Sequence, residues 1–402
     1  MWITKTPWTV VGLDLSGAYQ MRTGIRNVTV DGNGLIDGQG QAWWDLAHRM
    51  LRHKPPVKTD GLRPRMLTCE DCTDFTLRGV RLLNSPSFHV YASGFNCKVT
   101  DISIQSPNYS LAPNTDGTLT IDYQNPAVSL GLHSSVVLCL VSRNALRCFT
   151  TAGKKNFQRA NCVFTGIDVA CNGAYIARNR VVNGDDSLCV KSPGSNILFE
   201  DNYSEQGNGI VIGTSSNAQI SNITYRHCVS NRTAYGMHIK FKDNQTGSVS
   251  GVLYENLTVI QPHHYVMGIN QNDQGRRRRR RLSQQQQQQT LSELKDSDLS
   301  AASAGDDEED GGGDGYRPLA NVSISDITYR NIRTVGGKAL SAGHFQCDVI
   351  KHGHEDGVKG PPCTGLTMQD VKIESVFGCE FEGVVRGKAV GTVEPPSCIP
   401  PR

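Results

Sequence analysis

Residues 223–230 read ITYRHCVS, and the same beat returns at 252–259 as VLYENLTV. Each unit runs apolar, any residue, apolar, two polar-tolerant positions, apolar. Alternation at period two marks a strand, and helical spacing is poor throughout. The unit recurs as FTLRGVRL (75–82), CKVTDISI (97–104), AYIARNRV (174–181), ITYRNIRT (327–334) and LTMQDVKI (366–373), with ILFEDNYS (197–204) a weaker copy. The third residues of these units stand at 77, 99, 176, 199, 225, 254, 329 and 368, so successive gaps are 22, 77, 23, 26, 29, 75 and 39. Short gaps of this size suit one coil of a β solenoid, whose coils must stack because none can bury its apolar face alone. The expected fold is all-β, a parallel β-helix in one domain over 1–402. A β-sandwich with irregular strand spacing is the alternative.

The two long gaps mark interruptions. One holds residues 273–317, with six successive arginines, six glutamines and an acidic, glycine-rich run. Such composition cannot pack a core, and it reads as a disordered loop on one coil. A polyanion-binding role for the arginines is the alternative. The other gap holds residues 118–166, which lack the coil pattern; removing these 49 residues shortens the gap of 77 to 28 and joins NTDG to IDVACNGAYIARNRVVNGDD. The segment reads as foreign to the ancestral coil, either translated intron sequence or a surface insertion.

Bulk properties limit the partners. The 402 residues include 41 glycines, with 38% hydrophobic and 20% charged residues, as in a soluble, turn-rich protein. A net charge of +3, with the basic residues concentrated in one run, argues against nucleic acid. No apolar run approaches a membrane span. Thirteen cysteines show no zinc spacing, since Cys69 and Cys72 form a lone C-x-x-C, and their odd number leaves at least one thiol outside an intrachain pair. Sequons at Asn27, Asn108, Asn202, Asn222, Asn231, Asn244, Asn256 and Asn321 fit a secreted chain. The first residues lack a signal peptide, so the true start is expected upstream.

Acidic residues cluster at equivalent places on neighbouring coils. Asp116 lies in the turn NTDG (114–117), and Asp185 with Asp186 in NGDD (183–186), one coil later once the insert is removed. Equivalent positions on stacked strands lie about 4.8 Å apart. Three carboxylates would then share one patch, and crowding keeps at least one protonated, as glycoside hydrolysis requires. Either turn alone reads as ordinary turn chemistry. The next coil carries EQGNGIVIGTSSN (205–217), where Gly207 and Gly209 let backbone approach a ligand, and the following one carries YGMHIKFKD (235–243), where Lys240 could neutralise an acidic sugar. Trp43 and Trp44 are expected to pack under the first coils, and His263 and His264 to occupy a turn.

The chain resembles the polygalacturonase family of glycoside hydrolases, the pectinases of glycoside hydrolase family 28. The likeness runs through NVTVDGNGLIDGQGQAWWD (27–45), RLLNSPSFHVY (81–91), NTDG, NGDD, PPCTGLTMQDV (361–371) and GTVEPPSC (391–398). It implies a right-handed, single-stranded parallel β-helix that cleaves α-1,4-linked galacturonic acid chains of pectin with inversion. It further implies Asp185 as general acid and Asp116 with Asp186 as activators of water. Asn114, Asn208, His238 and Lys240 would line the substrate site. No cofactor or metal is implied, and a secreted monomer acting on polysaccharide, without nucleic acid or membrane partners, is expected. Where the family has Gly-His-Gly, this chain has Gly207, Asn208 and Gly209; where it has Arg-Ile-Lys, this chain has His238, Ile239 and Lys240. Neither Asn nor His reproduces the guanidinium fork, so the acid machinery is kept while carboxylate recognition changes. KSPGSNILFE (191–200) is reminiscent of the rhamnogalacturonan-cleaving branch. Hydrolysis of rhamnogalacturonan or another decorated pectin, a non-catalytic pectin-binding β-helix, and a calcium-dependent lyase are the rival readings.

Overall fold

The computed structural model describes residues 13–14, 25–51, 63, 65–107, 138–142, 145–149, 166–242, 245–271, 321–347 and 361–402. The fold is a right-handed parallel β-helix. One continuous sheet winds through three strand rows, and every pairing in it is parallel. The third residue of each sequence unit sits on one ladder: Leu77 faces Val99, Val99 faces Ile176, Ile176 faces Phe199, and Phe199 faces Tyr225. The ladder continues from Tyr225 to Tyr254, Tyr329 and Met368. It also extends beyond the units found in the sequence, to Val30 before Leu77 and to Ala389 after Met368.

Both long gaps span a single rung, since Val99 pairs with Ile176 and Tyr254 with Tyr329. Gly166, the last residue of the expected insert, already belongs to the coil: its N–H donates to the Asp186 carbonyl at 2.7 Å and its carbonyl accepts from Val90 at 3.1 Å. Leu138–Ser142 and Ala145–Phe149 pair antiparallel as a hairpin outside the large sheet. Residues 273–317 lie outside the described residues.

The ladder fills the core with rings. Phe199, Tyr225, Tyr254 and Tyr329 stack with successive centroid separations of 4.4, 5.3 and 5.0 Å. Each such pair adds about 0.5–1.5 kcal/mol beyond the area it buries. A helix, Gln41–Leu51, lies outside the solenoid pattern; its Trp44 is buried and donates Nε1–H to the Ser85 carbonyl at 3.2 Å.

Disulfides fasten the coils. Cys97 bonds Cys171 across 74 residues, Cys347 bonds Cys363, and Cys379 bonds Cys398. The isolated C-x-x-C is also a disulfide, Cys69–Cys72. Among the described residues, Cys189 and Cys228 are buried thiols.

Candidate active site

The first strand row turns one face to the core and the other, termed the groove face, away from it. In Asp186–Val190, Leu188 and Val190 join the core cluster, so alternation sends Cys189 the other way. Registers then line up the groove positions Tyr91, Asp168, Cys189, Val211, His238, Gly268, His344 and Glu380, one per rung. Two residues further along each strand, Gly213, Lys240, Asn270, Gln346 and Glu382 form a parallel row.

Asp185 and Asp186 sit where a turn feeds this row, and both are buried. Asp185 Oδ1 accepts the Asp186 N–H at 2.6 Å. On the next coil, the Asn208 amide donates to Asp185 Oδ1 at 2.6 Å and to Asp186 Oδ1 at 3.0 Å. This clamp needs a close turn. The Asn208 N–H donates to the Asp185 carbonyl at 2.8 Å, and Gly207, at φ +59°, leaves room where a Cβ would meet that oxygen at 2.1 Å. One coil beyond, Lys240 Nζ donates to Asp186 Oδ1 at 2.9 Å. Lys191, one residue past the strand Asp186–Val190, places Nζ 3.8 Å from Asp186 Oδ2 and donates to the Gly213 carbonyl at 2.8 Å.

These charges decide the state of Asp186. Burial pushes its carboxyl up, but Lys240 and Lys191, helped by Asn208, overcome that and hold it well below the usual carboxylate range. Lys191 is held above its ordinary value: burial opposes its charge, and Cys189, Asp168 and Asp186 together outweigh burial. Burial drives the Cys189 thiol well up, so it stays neutral beside them. The arrangement presents a fixed carboxylate, Asp186, beside a second carboxyl, Asp185, both buried on this face. That pairing suits proton transfer and activation of water.

A sequence model of the glycosyl hydrolases family 28 matches residues 17–127 and 160–283, more than half of the chain. The chain belongs to glycosyl hydrolases family 28. A polygalacturonase of Cryptomeria japonica is 27% identical over 252 residues, which cover 61% of this chain and 39% of that protein. An endo-polygalacturonase of Pectobacterium carotovorum subsp. carotovorum is 26% identical over 256 residues, covering 60% of this chain and 50% of that one. The chain thus spans between two fifths and half of the length of these relatives. Among solved structures, a polygalacturonase from Erwinia carotovora ssp. carotovora shares the fold at a TM-score of 0.55 and 20% identity, over 91% of this chain and 71% of that one.

Within this family 28 chain, rung stacking brings Asn208 and Lys240 to the Asp185–Asp186 pair. Asn114 and Asp116 lie outside the described residues. His238, on the same groove face, is buried like the two aspartates, and its Nε2 shares a 3.0 Å hydrogen bond with the Tyr265 hydroxyl. Sequence reading missed Asp168 and Lys191. Both could have been found by carrying the groove positions along the register, since Asp168 pairs with Cys189 and Lys191 lies two residues beyond. At the upstream end, Arg65 stacks over Phe88 and Tyr91 at 4.9 and 4.8 Å and pairs with Glu70 at 3.1 Å.

Proposed function

We propose that this protein is a glycoside hydrolase of pectic polysaccharide, cleaving α-1,4-linked galacturonic acid chains by an inverting acid/base mechanism. The observation that carries this reading is the pair of buried, adjacent carboxyls, one of them fixed as a carboxylate by Lys240 and Lys191. In this reading Asp185 is the general acid: it delivers its proton to the leaving glycosidic oxygen as the C–O bond breaks. Asp186 is the base side, its charge available to take a proton from the attacking water. The Asn208 nitrogen, shared at 2.6 and 3.0 Å, holds these two oxygens closer than the roughly 6.5–9.5 Å that admit water between acid and base. The water is therefore assigned outside the gap between this pair, with Asp116 as its further activator. Lys240 and Lys191 keep Asp186 ionised, and Lys240 faces the sugar chain.

Secretion belongs to the same proposal: the disulfides fit an oxidising compartment. The test is release of reducing ends from pectic polymers. The wild type should release them, and Asp185→Asn should lose about 10³-fold in kcat, within the range of general acid catalysis. Unchanged turnover in Asp185→Asn, with the fold intact by circular dichroism, would remove Asp185 from the role. Pectin binding without turnover by the wild type would favour a non-catalytic binding protein.

A further inference from the structure

The groove changes character downstream of the carboxylates. Beyond the Gly209–Gly213 rung, four rungs carry Tyr235 and His238, then Tyr265, Gly268 and Asn270, then Ser341, His344 and Gln346, then Phe377, Glu380 and Glu382. The rings gather into one strip. Tyr235 lies 4.5 Å from His238, 4.5 Å from Tyr265 and 5.5 Å from His264, while Tyr265 lies 5.9 Å from His344. Tyr265 is the buried layer of the strip, tied by its hydroxyl to His238. Gly268 makes room for it, because a Cβ there would come within 2.2 Å of the Tyr265 ring. Tyr235, His264 and His344 are half-buried above it, and Phe377 ends the strip with 47% exposure.

Charge decides what such a strip accepts. Among the residues of Tyr235–Lys240, Tyr265–Asn270, Ala339–Gln346 and Ser375–Glu382, Lys240 is the one lysine or arginine, and it is bonded to Asp186. Glu380 and Glu382 stand at the far end. A run of uronates laid here would place carboxylates over rings and then beside glutamates. A neutral pyranose instead presents a C–H face that packs on aromatic rings and hydroxyls that bond imidazole and amide groups.

We propose that the strip of Tyr235, His264 and His344, laid over Tyr265, is a stacking subsite for neutral pyranose units of the pectic chain. The proposal rests on the hydrolase reading for its polymer, and it narrows that polymer to one in which neutral sugars accompany the uronates. The discriminating experiment is calorimetric binding of two oligosaccharides of equal length, one of galacturonate alone and one in which α-1,4-linked galacturonate pairs alternate with single rhamnoses. It uses full-length Asp185→Asn, to keep the sugars intact, with and without Tyr235→Ala. Wild-type cleavage of the two corresponding polymers is measured alongside. The alternating probe should bind about tenfold more tightly, and Tyr235→Ala should remove most of that advantage while changing galacturonate binding less than about twofold. Equal or tighter binding of pure galacturonate would overturn the subsite, as would equal losses on both probes. A preference for pure galacturonate that emerges as the imidazoles protonate at acid pH would overturn it too. Cleavage confined to pure galacturonan would sink the subsite and leave the hydrolase standing. A binding preference without any cleavage would do the reverse.

Discussion

Asp186 carries its charge at a depth where burial alone would neutralise it, because two ammonium groups converge on it. Lys191→Met tests that directly. Removing an ammonium 3.8 Å away raises the Asp186 pKa, so the acidic limb of the kcat/KM profile should move to higher pH, by about one unit. A purely structural lysine would lower activity at every pH without moving the limb. The same group links stability to acidity. Its folded pKa is depressed, so its contribution is complete above the unfolded value of about 4 and fades as pH falls through the folded one. Urea midpoints should show Asp186→Asn as destabilised at neutral pH, by about 3–5 kcal/mol as for a broken buried ion pair, with the gap to wild type narrowing below about pH 4. An unchanged gap at pH 3 would mean that Asp186 is not the depressed group. Lys191 and Asp168 were invisible at this scale in the sequence. Register and alternation bring Lys191 to Asp186 and Asp168 to Lys191, whereas Asp185–Asp186, Asn208 and Lys240 lie in recognisable turns and strands on successive coils.

The repeat unit was the most legible element. All eight third positions, from Leu77 to Met368, occupy one ladder, because a residue that must face the core once per coil leaves an apolar mark at every return. The end rungs at Val30 and Ala389 escaped notice, since a terminal coil has a neighbour on one side and its pattern weakens: Lys388–Glu394 is exposed along almost its whole length. The helix Gln41–Leu51 leaves no mark in a pattern of period two. The ladder also carries a defect. The hydroxyls of Tyr254 and Tyr329 are buried without a hydrogen-bond partner among the described residues. Tyr254→Phe and Tyr329→Phe should therefore leave stability unchanged or raise it by about 1 kcal/mol in urea unfolding. Tyr254→Ala should cost about 3–5 kcal/mol by opening a gap in the stack. A loss of more than about 1 kcal/mol in either Phe variant would show that the hydroxyls are satisfied.

Across the whole molecule, the solenoid closes over its long excursions without losing register. Val99 and Ile176 are rung neighbours, the Cys97–Cys171 disulfide ties the same two coils, and the family match breaks off at residue 127 and resumes at 160. Deleting residues 118–165, which keeps Gly166 in its coil, should give a protein with the same far-UV circular dichroism per residue of sheet and a thermal midpoint within about 5 °C. Failure to fold would show that the segment is integral to the solenoid. Replacing Cys97 and Cys171 by Ser should cost about 4 kcal/mol in the chain-entropy account of a loop closed over 74 residues. Carboxyls held at one place on this ladder should hydrolyse a glycosidic bond with inversion, and proton NMR of a pectic polymer during cleavage shows the anomer that forms first. New reducing ends should appear first as the β anomer, before mutarotation mixes the forms. First appearance of the α anomer, or of an unsaturated sugar end, would contradict the account.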